Sequence, residues 1–335
     1  MAPPDQVAVS KSATALVDQA LHDSVTSTMT CSDIVTILIS HGCTDLTSSL
    51  DDPVCSKYPV ANGGLGDVFH GRLRNGMTVA IKTIRAYYDQ GKLSRMYHKR
   101  AAKEIYTWSK CKHPNVVELI GLAVFRDCLA MISRWEQNGN LLHYLSQHPS
   151  VDRCHLSTSI CAGLTYLHEN DIVHGDLKGA NVLIARDGRP MLMDFGNASL
   201  LDATLQFTET NTGPSFSLRW TAPEILEGTG SHTIAADVYA LGMTILEAFT
   251  SKIPFADKSD QSLVAHILFH KNTPTRPETI IPSRSMHGNK LWDILTRCWA
   301  SDPKDRPSAG VIWDEMKPIT TETLKVLEVE PERDG

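Results

Sequence analysis

The sequence from Ile172 to Gly196 reads IVHGDLKGANVLIARDGRPMLMDFG. Its acidic residues Asp176 and Asp194 enclose Lys178, Asn181 and two short apolar runs that flank an Asp-Gly turn signal. This pattern predicts a β-hairpin, which folds Asp194 back beside Asp176 and Asn181. Carboxylate and amide oxygens with one lysine suit magnesium and phosphate, so we predict a site for both here.

A second stretch, residues 61–71, reads ANGGLGDVFHG, and residues 77–82 read MTVAIK. Two alternating strand patterns flank a glycine-rich turn in this region. Glycines let the backbone turn tightly and bring N–H groups close to a phosphate. Lys82 lies within an apolar strand, where an unpaired ammonium group is costly. We therefore expect Lys82 to have an anionic partner.

The motifs HGDLKGAN and DFG resemble the catalytic and metal-binding loops of eukaryotic-type protein kinases, and the glycine-rich turn with VAIK resembles their nucleotide-binding loop. The resemblance covers roughly residues 56–318 and implies an α+β, two-lobed kinase fold. Residues 56–136 are expected to form a small β-rich lobe with one key helix, and residues 137–318 a larger, mainly helical lobe. We predict that residues 1–55 are an N-terminal extension, partly helical or disordered, and that residues 319–335 are a tail.

The resemblance implies that ATP and Mg²⁺ bind in the cleft of this fold. The residues implied to contact ATP are Ala61, Asn62, Gly63, Gly64, Gly66, Val68, Ala80, Lys82, Ser133, Trp135 and Glu136. Lys82 is expected to reach the α- and β-phosphates and to pair with Glu104, which lies on a segment with helical spacing. Glu118 is a less favoured partner for Lys82, because it lies in what the pattern predicts to be the next strand. Trp135 and Glu136 are expected to form the hinge that binds adenine through backbone groups.

The catalytic roles follow from the same resemblance. Asp176 is implied to accept the proton of the substrate hydroxyl, and Lys178 to neutralise charge on the transferring phosphoryl group. Asn181 and Asp194 are implied to hold Mg²⁺. Gly175 stands where the family usually has an arginine that grips a phosphate on the activation loop. We therefore expect that phosphorylation of this loop is not strictly required for activity.

Two motifs bear on the substrate hydroxyl. Lys178 follows the catalytic aspartate by two residues, which is typical of serine/threonine kinases. Trp220, within RWTAPE, is typical of tyrosine kinases and of the tyrosine kinase-like group. The mixture indicates the tyrosine kinase-like group and a serine/threonine kinase that phosphorylates proteins. Ser217 falls where serine/threonine kinases keep a hydroxyl that bonds the catalytic aspartate and lysine.

Alternative functions remain open at this point. The chain is alternatively a pseudokinase that acts as a scaffold by allosteric binding, a hypothesis that only Ala61 and Gly175 favour. It is alternatively a tyrosine or dual-specificity kinase. The residues that catalysis needs are all present, namely Lys82, Glu104, Asp176, Asn181 and Asp194.

Other positions carry structural predictions. The resemblance implies that Asp237 holds the backbone of the catalytic loop and that Arg306 pairs with Glu224. In the N-terminal extension, helical apolar spacing occurs over residues 13–21 and again over Ile34 to Ile39. We expect Ser32 or Asp33 to cap the second of these helices and Gly42 to end it.

Composition narrows the class of protein. The 335 residues carry a formal net charge of -6, which gives no indication of nucleic-acid or membrane binding. The eight cysteines are scattered without a Cys-x-x-Cys pair, so we expect free thiols. The longest apolar stretch, Val238 to Phe249, contains Glu247 and is too short to span a bilayer. Because the N-terminus lacks a signal-peptide pattern, we expect a cytoplasmic protein, with a nuclear location also open. The oligomeric state is not predicted.

Overall fold

The structure is a computed structural model that describes residues 24–26, 29–62, 66–84, 92–200, 206–207, 217–228 and 232–325. The chain divides into two compact units. The described residues of the first unit are 24–112, 118–135, 200 and 206–207, with the gaps given above, and those of the second are 113–117, 136–199 and 217–325.

A five-stranded antiparallel sheet is the framework of the first unit. The strands of this unit are β1 (Ser24–Val25), β2 (Ala61–Asn62), β3 (Gly66–Arg72), β4 (Thr78–Ile84), β5 (Leu119–Phe125), β6 (Cys128–Arg134) and β11 (Gln206–Phe207). The sheet has the order β2-β3-β4-β6-β5, and β1 pairs separately with β11 in parallel. The turn between β5 and β6 places Arg126 and Asp127 at φ 51° and 64°, as a two-residue hairpin turn requires.

Alternate side chains of these strands enter one apolar core. Its members are Leu50, Cys55, Leu73, Val79, Ile81, Ala123, Phe125, Ala130 and Ile132. Because β4 contributes Val79 and Ile81 to the core, the next alternate residues, Ala80 and Lys82, lie on its other face.

The described residues of the first unit form two α-helices, α1 (Cys31–Ser40) and α2 (Lys92–Ser109). The helix predicted over Ile34 to Ile39 is thus confirmed, but its predicted cap is wrong. Thr30 is the N-cap, because its backbone is extended and its hydroxyl accepts from the N–H of Asp33. Asp33 takes the third helical position and accepts from Thr30 N–H in return, which completes a capping box. The helical pattern over residues 13–21 lies outside the described residues.

The second unit is mainly helical. Its helices are α3 (Leu141–Gln147), α4 (Arg153–Glu169), α5 (Pro223–Leu226), α6 (Ile234–Thr250), α7 (Asp260–Leu268), α8 (Met286–Cys298), α9 (Ala309–Met316) and α10 (Thr321–Leu324). Hydroxyl side chains cap five of them, at Thr233, Ser259, Ser285, Ser308 and Thr320. Helix α6 is the core of the unit, since it is buried from Ala236 to Phe249. A Cβ atom on Gly242 would lie 2.6 Å from Cys298 Cβ, so glycine permits α6 to approach the end of α8.

Short strands connect the helices of the second unit. They are β7 (Ile172–Val173), β8 (Val182–Ile184), β9 (Pro190–Leu192) and β10 (Ser199–Leu200), whose last residue is the first of a segment of the first unit. Strands β8 and β9 form the hairpin predicted from the Asp-Gly turn, with Val182 opposite Leu192. Gly188 has φ +87°, which glycine adopts without strain.

These features confirm the predicted α+β class, with a β-rich unit and a helical unit. All eight cysteines lie at described positions and are free thiols, as expected. No helix within the described ranges combines the length and the apolar character that crossing a bilayer requires.

Candidate active site

The ion pair predicted between Lys82 and Glu104 is present in the first unit. Lys82 Nζ, on β4, lies 2.7 Å from Glu104 Oε1, on α2. The side chain of Glu104 is 3% exposed, whereas that of Lys82 is 19% exposed. Glu118, the less favoured partner, is exposed. The ammonium group of Lys82 therefore has a buried anionic partner and retains some access to a ligand.

The glycine-rich turn is described only in part. Ala61 and Val68 are paired across β2 and β3, as are Asn62 and Asp67. A Cβ atom on Gly66 would lie 2.4 Å from the carbonyl oxygen of Thr83, so this position requires glycine. The other two glycines of the predicted ATP contacts, at positions 63 and 64, lie outside the described residues.

The predicted adenine-binding positions follow β6. Ser133 is buried and pairs with Ala80 on β4. The N–H of Trp135 donates to the carbonyl of Thr78 at 3.3 Å, so this N–H is engaged within the first unit. Glu136 belongs to the second unit. Backbone contacts of Trp135 and Glu136 with adenine stay a prediction.

Asp176 is the centre of a network in the second unit. Its Oδ2 accepts from Lys178 Nζ at 2.7 Å, and its Oδ1 accepts from Ser217 Oγ at 2.6 Å. Lys178 Nζ also donates to Ser217 Oγ, at 2.6 Å. The hydroxyl thus accepts from the lysine and donates to the aspartate, the arrangement that the resemblance implied for Ser217. The carboxylate of Asp176 is held by a different donor on each oxygen.

The two predicted magnesium ligands lie at the two ends of the hairpin. Asn181 Nδ2 donates to the carbonyl and to Oδ2 of Asp176, at 2.7 and 3.0 Å. The N–H of Met193 donates to the Asn181 carbonyl at 2.9 Å, which anchors the residue before Asp194 beside the catalytic loop. Asp194 itself has φ 71°, an uncommon conformation for a non-glycine residue.

Asp237, on α6, holds the backbone before Asp176. It accepts from the N–H groups of His174 and Gly175 at 2.7 and 2.9 Å, and His168 Nε2 lies 3.0 Å away. Burial by itself raises the pKa of Asp237, but the hydrogen bonds from His168 and Gly175 lower the pKa below its ordinary value. The contacts of Asp237 therefore match its predicted role, which is to hold the backbone of the catalytic loop.

The conformation of Gly175 explains part of the departure from the family pattern. Gly175 has φ +78°, and a Cβ atom there would lie 2.7 Å from the carbonyl oxygen of Asn197. An arginine at this position would be strained. Glycine adopts this conformation without strain, and the chain therefore has no guanidinium group at position 175.

Glu247, on α6, is a residue of the site that the sequence reasoning missed. Its Oε2 accepts from Gly179 N–H at 2.8 Å and from Trp220 Nε1 at 2.9 Å. One buried carboxylate thus joins the catalytic loop to the RWTAPE segment. Burial raises the pKa of Glu247 to about 7, although these two donors and the charge of Lys178 lower it. The available signal was a glutamate inside the longest apolar stretch of the sequence.

Arg306 and Glu224 form the predicted structural pair of the second unit. Arg306 Nη1 and Nη2 donate to the two oxygens of Glu224 at 2.7 and 2.8 Å. The same guanidinium group donates to the carbonyls of Ala300 and Ala235. It is fully buried and faces the ring of Tyr239.

A small cavity of about 30 Å³ adjoins the network. Asp176, Ser217, Trp220 and Thr221 are among the residues that line it. This volume holds about one water molecule, which is also the size of a hydroxyl group. A group of this size therefore fits beside Asp176.

Comparisons with known proteins agree with these motifs. The model of the protein kinase domain family matches residues 57–316. Serine/threonine-protein kinase STY46 of Arabidopsis thaliana is 29% identical over 270 residues, which are 79% of this chain and 44% of that protein. Mitogen-activated protein kinase kinase kinase 1a of Physcomitrium patens is 29% identical over 255 residues, 76% of this chain and 32% of that protein. Tyrosine-protein kinase transforming protein Abl of Abelson murine leukemia virus is 28% identical over 285 residues, 83% of this chain and 36% of that protein. The chain thus spans less than half the length of each of these relatives.

Proposed function

This chain belongs to the protein kinase domain family, and from this premise we propose that it transfers the γ-phosphoryl group of ATP to serine or threonine hydroxyls of protein substrates. The observation that carries the proposal is the network around Asp176, whose oxygens accept from Lys178 and Ser217. A carboxylate held in this way is suited to orient a substrate hydroxyl and to take its proton as the hydroxyl oxygen attacks phosphorus. The positive charge of Lys178 offsets the negative charge of the transferring group.

Lys82 and the glycine-rich turn are proposed to bind ATP. The ammonium group of Lys82 is oriented by Glu104 and contacts the α- and β-phosphates. Gly66, which lies close to Thr83, keeps the backbone near the phosphates without a side chain in the way. Positioning and charge stabilisation are the main contributions to such a reaction.

Asn181 and Asp194 are proposed to hold Mg²⁺. Both supply oxygen ligands, which magnesium prefers. Because Asn181 Nδ2 donates to Asp176, the amide oxygen of Asn181 is the atom that is left as a ligand. The described residues hold no group of three or more His, Cys, Asp or Glu side chains that would bind a metal, so Asn181 and Asp194 would hold Mg²⁺ together with oxygen atoms from outside the protein. Magnesium supplies the positive charge that neutralises the phosphate oxygens.

Serine and threonine are the proposed acceptors, and the tyrosine kinase-like group the proposed subfamily. Lys178 and Ser217 support this choice, because they bond Asp176 in the way that the resemblance implied for serine/threonine kinases. One of the relatives named above, serine/threonine-protein kinase STY46, supports it through its name. The Abl relative keeps tyrosine as the second candidate acceptor.

The proposal includes protein substrates and a cytoplasmic location. It includes no binding of nucleic acid or membranes. Localisation of the tagged full chain by microscopy tests the location, and a uniformly nuclear signal contradicts it.

A transfer assay tests the proposed function. The full chain is incubated with γ-labelled ATP, Mg²⁺ and a generic protein substrate, and the labelled amino acids are then identified. We expect Mg²⁺-dependent label on serine and threonine, and a decrease of about 10²- to 10⁴-fold in Asp176→Asn. Asp187→Asn is the matched control, because Asp187 is an exposed aspartate in the turn of the same hairpin.

Two outcomes contradict the proposal. Label on tyrosine alone refutes the serine/threonine assignment. Binding of ATP without transfer, by wild-type chain that is folded, refutes the enzyme and favours the scaffold.

A further inference from the structure

The N-terminal segment of residues 29–50 precedes the part of the chain that matches the family, 57–316. It is nevertheless built into the first unit. Helix α1 buries Ile34, Val35 and Leu38, and the first and last of these are fully buried. Burial to this extent is typical of a protein core. The segment is therefore part of the structure of the first unit.

Helix α1 packs against α2, the helix that carries Glu104. The ring of His41, directly after α1, meets the ring of Tyr106 edge-on, with centroids 5.7 Å apart. Tyr106 follows Glu104 by two residues, and two residues rotate a helix by about 200°. The N-terminal segment therefore contacts α2 on the side opposite to Glu104.

The residues after α1 are attached to the edge of the sheet. Leu46 N–H donates to Leu122 O, and Leu122 N–H donates to Thr44 O, both at 2.8 Å. Val124 N–H donates to Thr47 Oγ1 at 3.0 Å. Through these three hydrogen bonds, residues 44–47 bind to the edge of the sheet at β5. Because β5 is part of the sheet, the end of α1 is held at a fixed place beside α2.

We propose that residues 31–47, the N-terminal clamp, hold α2 in the position in which Glu104 meets Lys82. The inference rests on the proposed function, since the ion pair serves turnover only where Lys82 binds phosphates. Leu38 and Ile34 are positioning residues, which act through α2. When either side chain is truncated, α2 shifts relative to β4. A displacement of about 1 Å in catalytic geometry costs up to about a hundredfold in rate.

A segment whose only role was to cover the edge of the sheet would affect stability and kcat differently. It would protect the unit against unfolding and leave the turnover of each folded molecule unchanged. The N-terminal clamp instead lowers kcat when it is weakened, because it acts on Glu104. The two roles are separated by measuring kcat under conditions in which all variants are folded.

The first experiment compares truncations in the full chain. Leu38→Ala removes a fully buried side chain of the clamp, and Leu295→Ala removes an equally buried leucine from α8 in the second unit. Ile39→Ala changes a residue of α1 that is 44% exposed. We expect kcat to fall about tenfold or more in Leu38→Ala and to stay within about twofold in both controls. Leu38→Met restores kcat, and Leu38→Val replaces Leu38→Ala if the latter does not fold.

The second experiment asks whether the effect passes through the ion pair. In a chain that already carries Glu104→Gln, the truncation Leu38→Ala is expected to lower kcat no further, because residues that act in one chain of contacts are not additive. Amide hydrogen exchange of α2, followed in parallel, is expected to accelerate in Leu38→Ala and to stay unchanged in Leu295→Ala.

Three results would overturn the clamp. They are equal kcat in Leu38→Ala and wild type, a full further decrease in the Glu104→Gln background, and unchanged hydrogen exchange of α2. If wild-type chain transfers no phosphate, the proposed function fails instead. The clamp is then decided by the hydrogen exchange of α2 alone, which does not depend on turnover.

Discussion

Two ion pairs, one in each unit, have opposite surroundings. In the second unit, Arg306 donates to both oxygens of Glu224 and to two backbone carbonyls, and its side chain is fully buried. In the first unit, Lys82 meets Glu104 Oε1 at 2.7 Å, and the lysine side chain is 19% exposed. The planar guanidinium group of Arg306 makes four hydrogen bonds to the protein, so its role is structural. A flexible, partly exposed ammonium group is suited to an exchangeable anionic ligand.

Because of this difference, we expect one ion pair to contribute mainly to stability and the other mainly to turnover. The pair of Arg306 and Glu224 ties α5 to the chain after α8, so its loss is expected to affect folding first. The pair of Lys82 and Glu104 is expected to affect turnover first. Variants that change one pair at a time test this difference between stability and turnover.

The largest effect is expected for Arg306→Met. This change leaves the carboxylate of Glu224 without its cation and removes four hydrogen bonds, two to Glu224 and two to backbone carbonyls. We expect a loss of about 3–5 kcal/mol in the free energy of unfolding, measured by urea denaturation. Arg297→Met is the matched control, because Arg297 also forms ion pairs, with Asp293 and Glu315, but its side chain is 36% exposed. The control is expected to lose at most about 1 kcal/mol. Equal losses in the two variants would remove the distinction between them.

The next effect is expected for Lys82→Met. Because an electrostatic contact to the phosphates is lost, kcat is expected to fall about 10²- to 10³-fold. The free energy of unfolding should fall less than in Arg306→Met, since the Lys82 side chain is 19% exposed whereas that of Arg306 is fully buried. The double variant Lys82→Met, Glu104→Gln removes both charges, so we expect it to regain stability and not activity. A double variant that regains turnover would contradict the proposed role of Lys82.

The smallest effect concerns Glu247, a buried carboxylate whose two hydrogen-bond donors are neutral. Its pKa of about 7 in the folded chain exceeds the ordinary value of 4.5. Between these pH values the unfolded chain releases the proton while the folded chain keeps it. The free energy of unfolding therefore falls as pH rises from 4.5 to 7, by up to about 3 kcal/mol, and this contribution is fully present only below pH 4.5.

Glu247→Gln isolates that contribution. The glutamine oxygen can accept from Gly179 and Trp220 as the protonated acid does, but it does not titrate. We expect the stability of the glutamine variant relative to wild type to increase from pH 4.5 to pH 7 and then to level off. Urea denaturation at a series of pH values measures this difference. A difference that is constant across the series would show that Glu247 does not titrate in this range.

The sequence predicted the local parts of the site well. The Asp-Gly turn between two apolar runs was enough for the hairpin of β8 and β9, because a two-residue turn signal acts over a few residues. The pairs of Lys82 with Glu104 and of Arg306 with Glu224 came from the family resemblance, and both are present. The hairpin thus followed from a short motif, whereas the two ion pairs, whose members are 22 and 82 residues apart, followed from the resemblance.

The parts that escaped prediction depend on contacts between distant segments. Glu247 bonds Gly179, 68 residues away, and no local pattern relates the two. The contact of α1 with α2 is of the same kind, since apolar spacing predicts a buried face but not its partner. The predicted N-cap of α1, Ser32 or Asp33, was wrong for a local reason. Thr30, Ser32 and Asp33 are all good capping residues, and only the extended backbone of Thr30 decides among them.

The buried cysteine thiols can report how often the structure around each of them opens. Burial raises the pKa of Cys111, in the first unit, and of Cys154 and Cys298, in the second, to about 12 in each case. A thiol with so high a pKa is almost never a thiolate at neutral pH, so a labelling reagent reacts only after the surrounding structure opens. The rate at which each thiol is labelled under native conditions therefore measures the opening free energy at its position. Mass spectrometry of the three sites gives separate values for the two units without any change to the sequence.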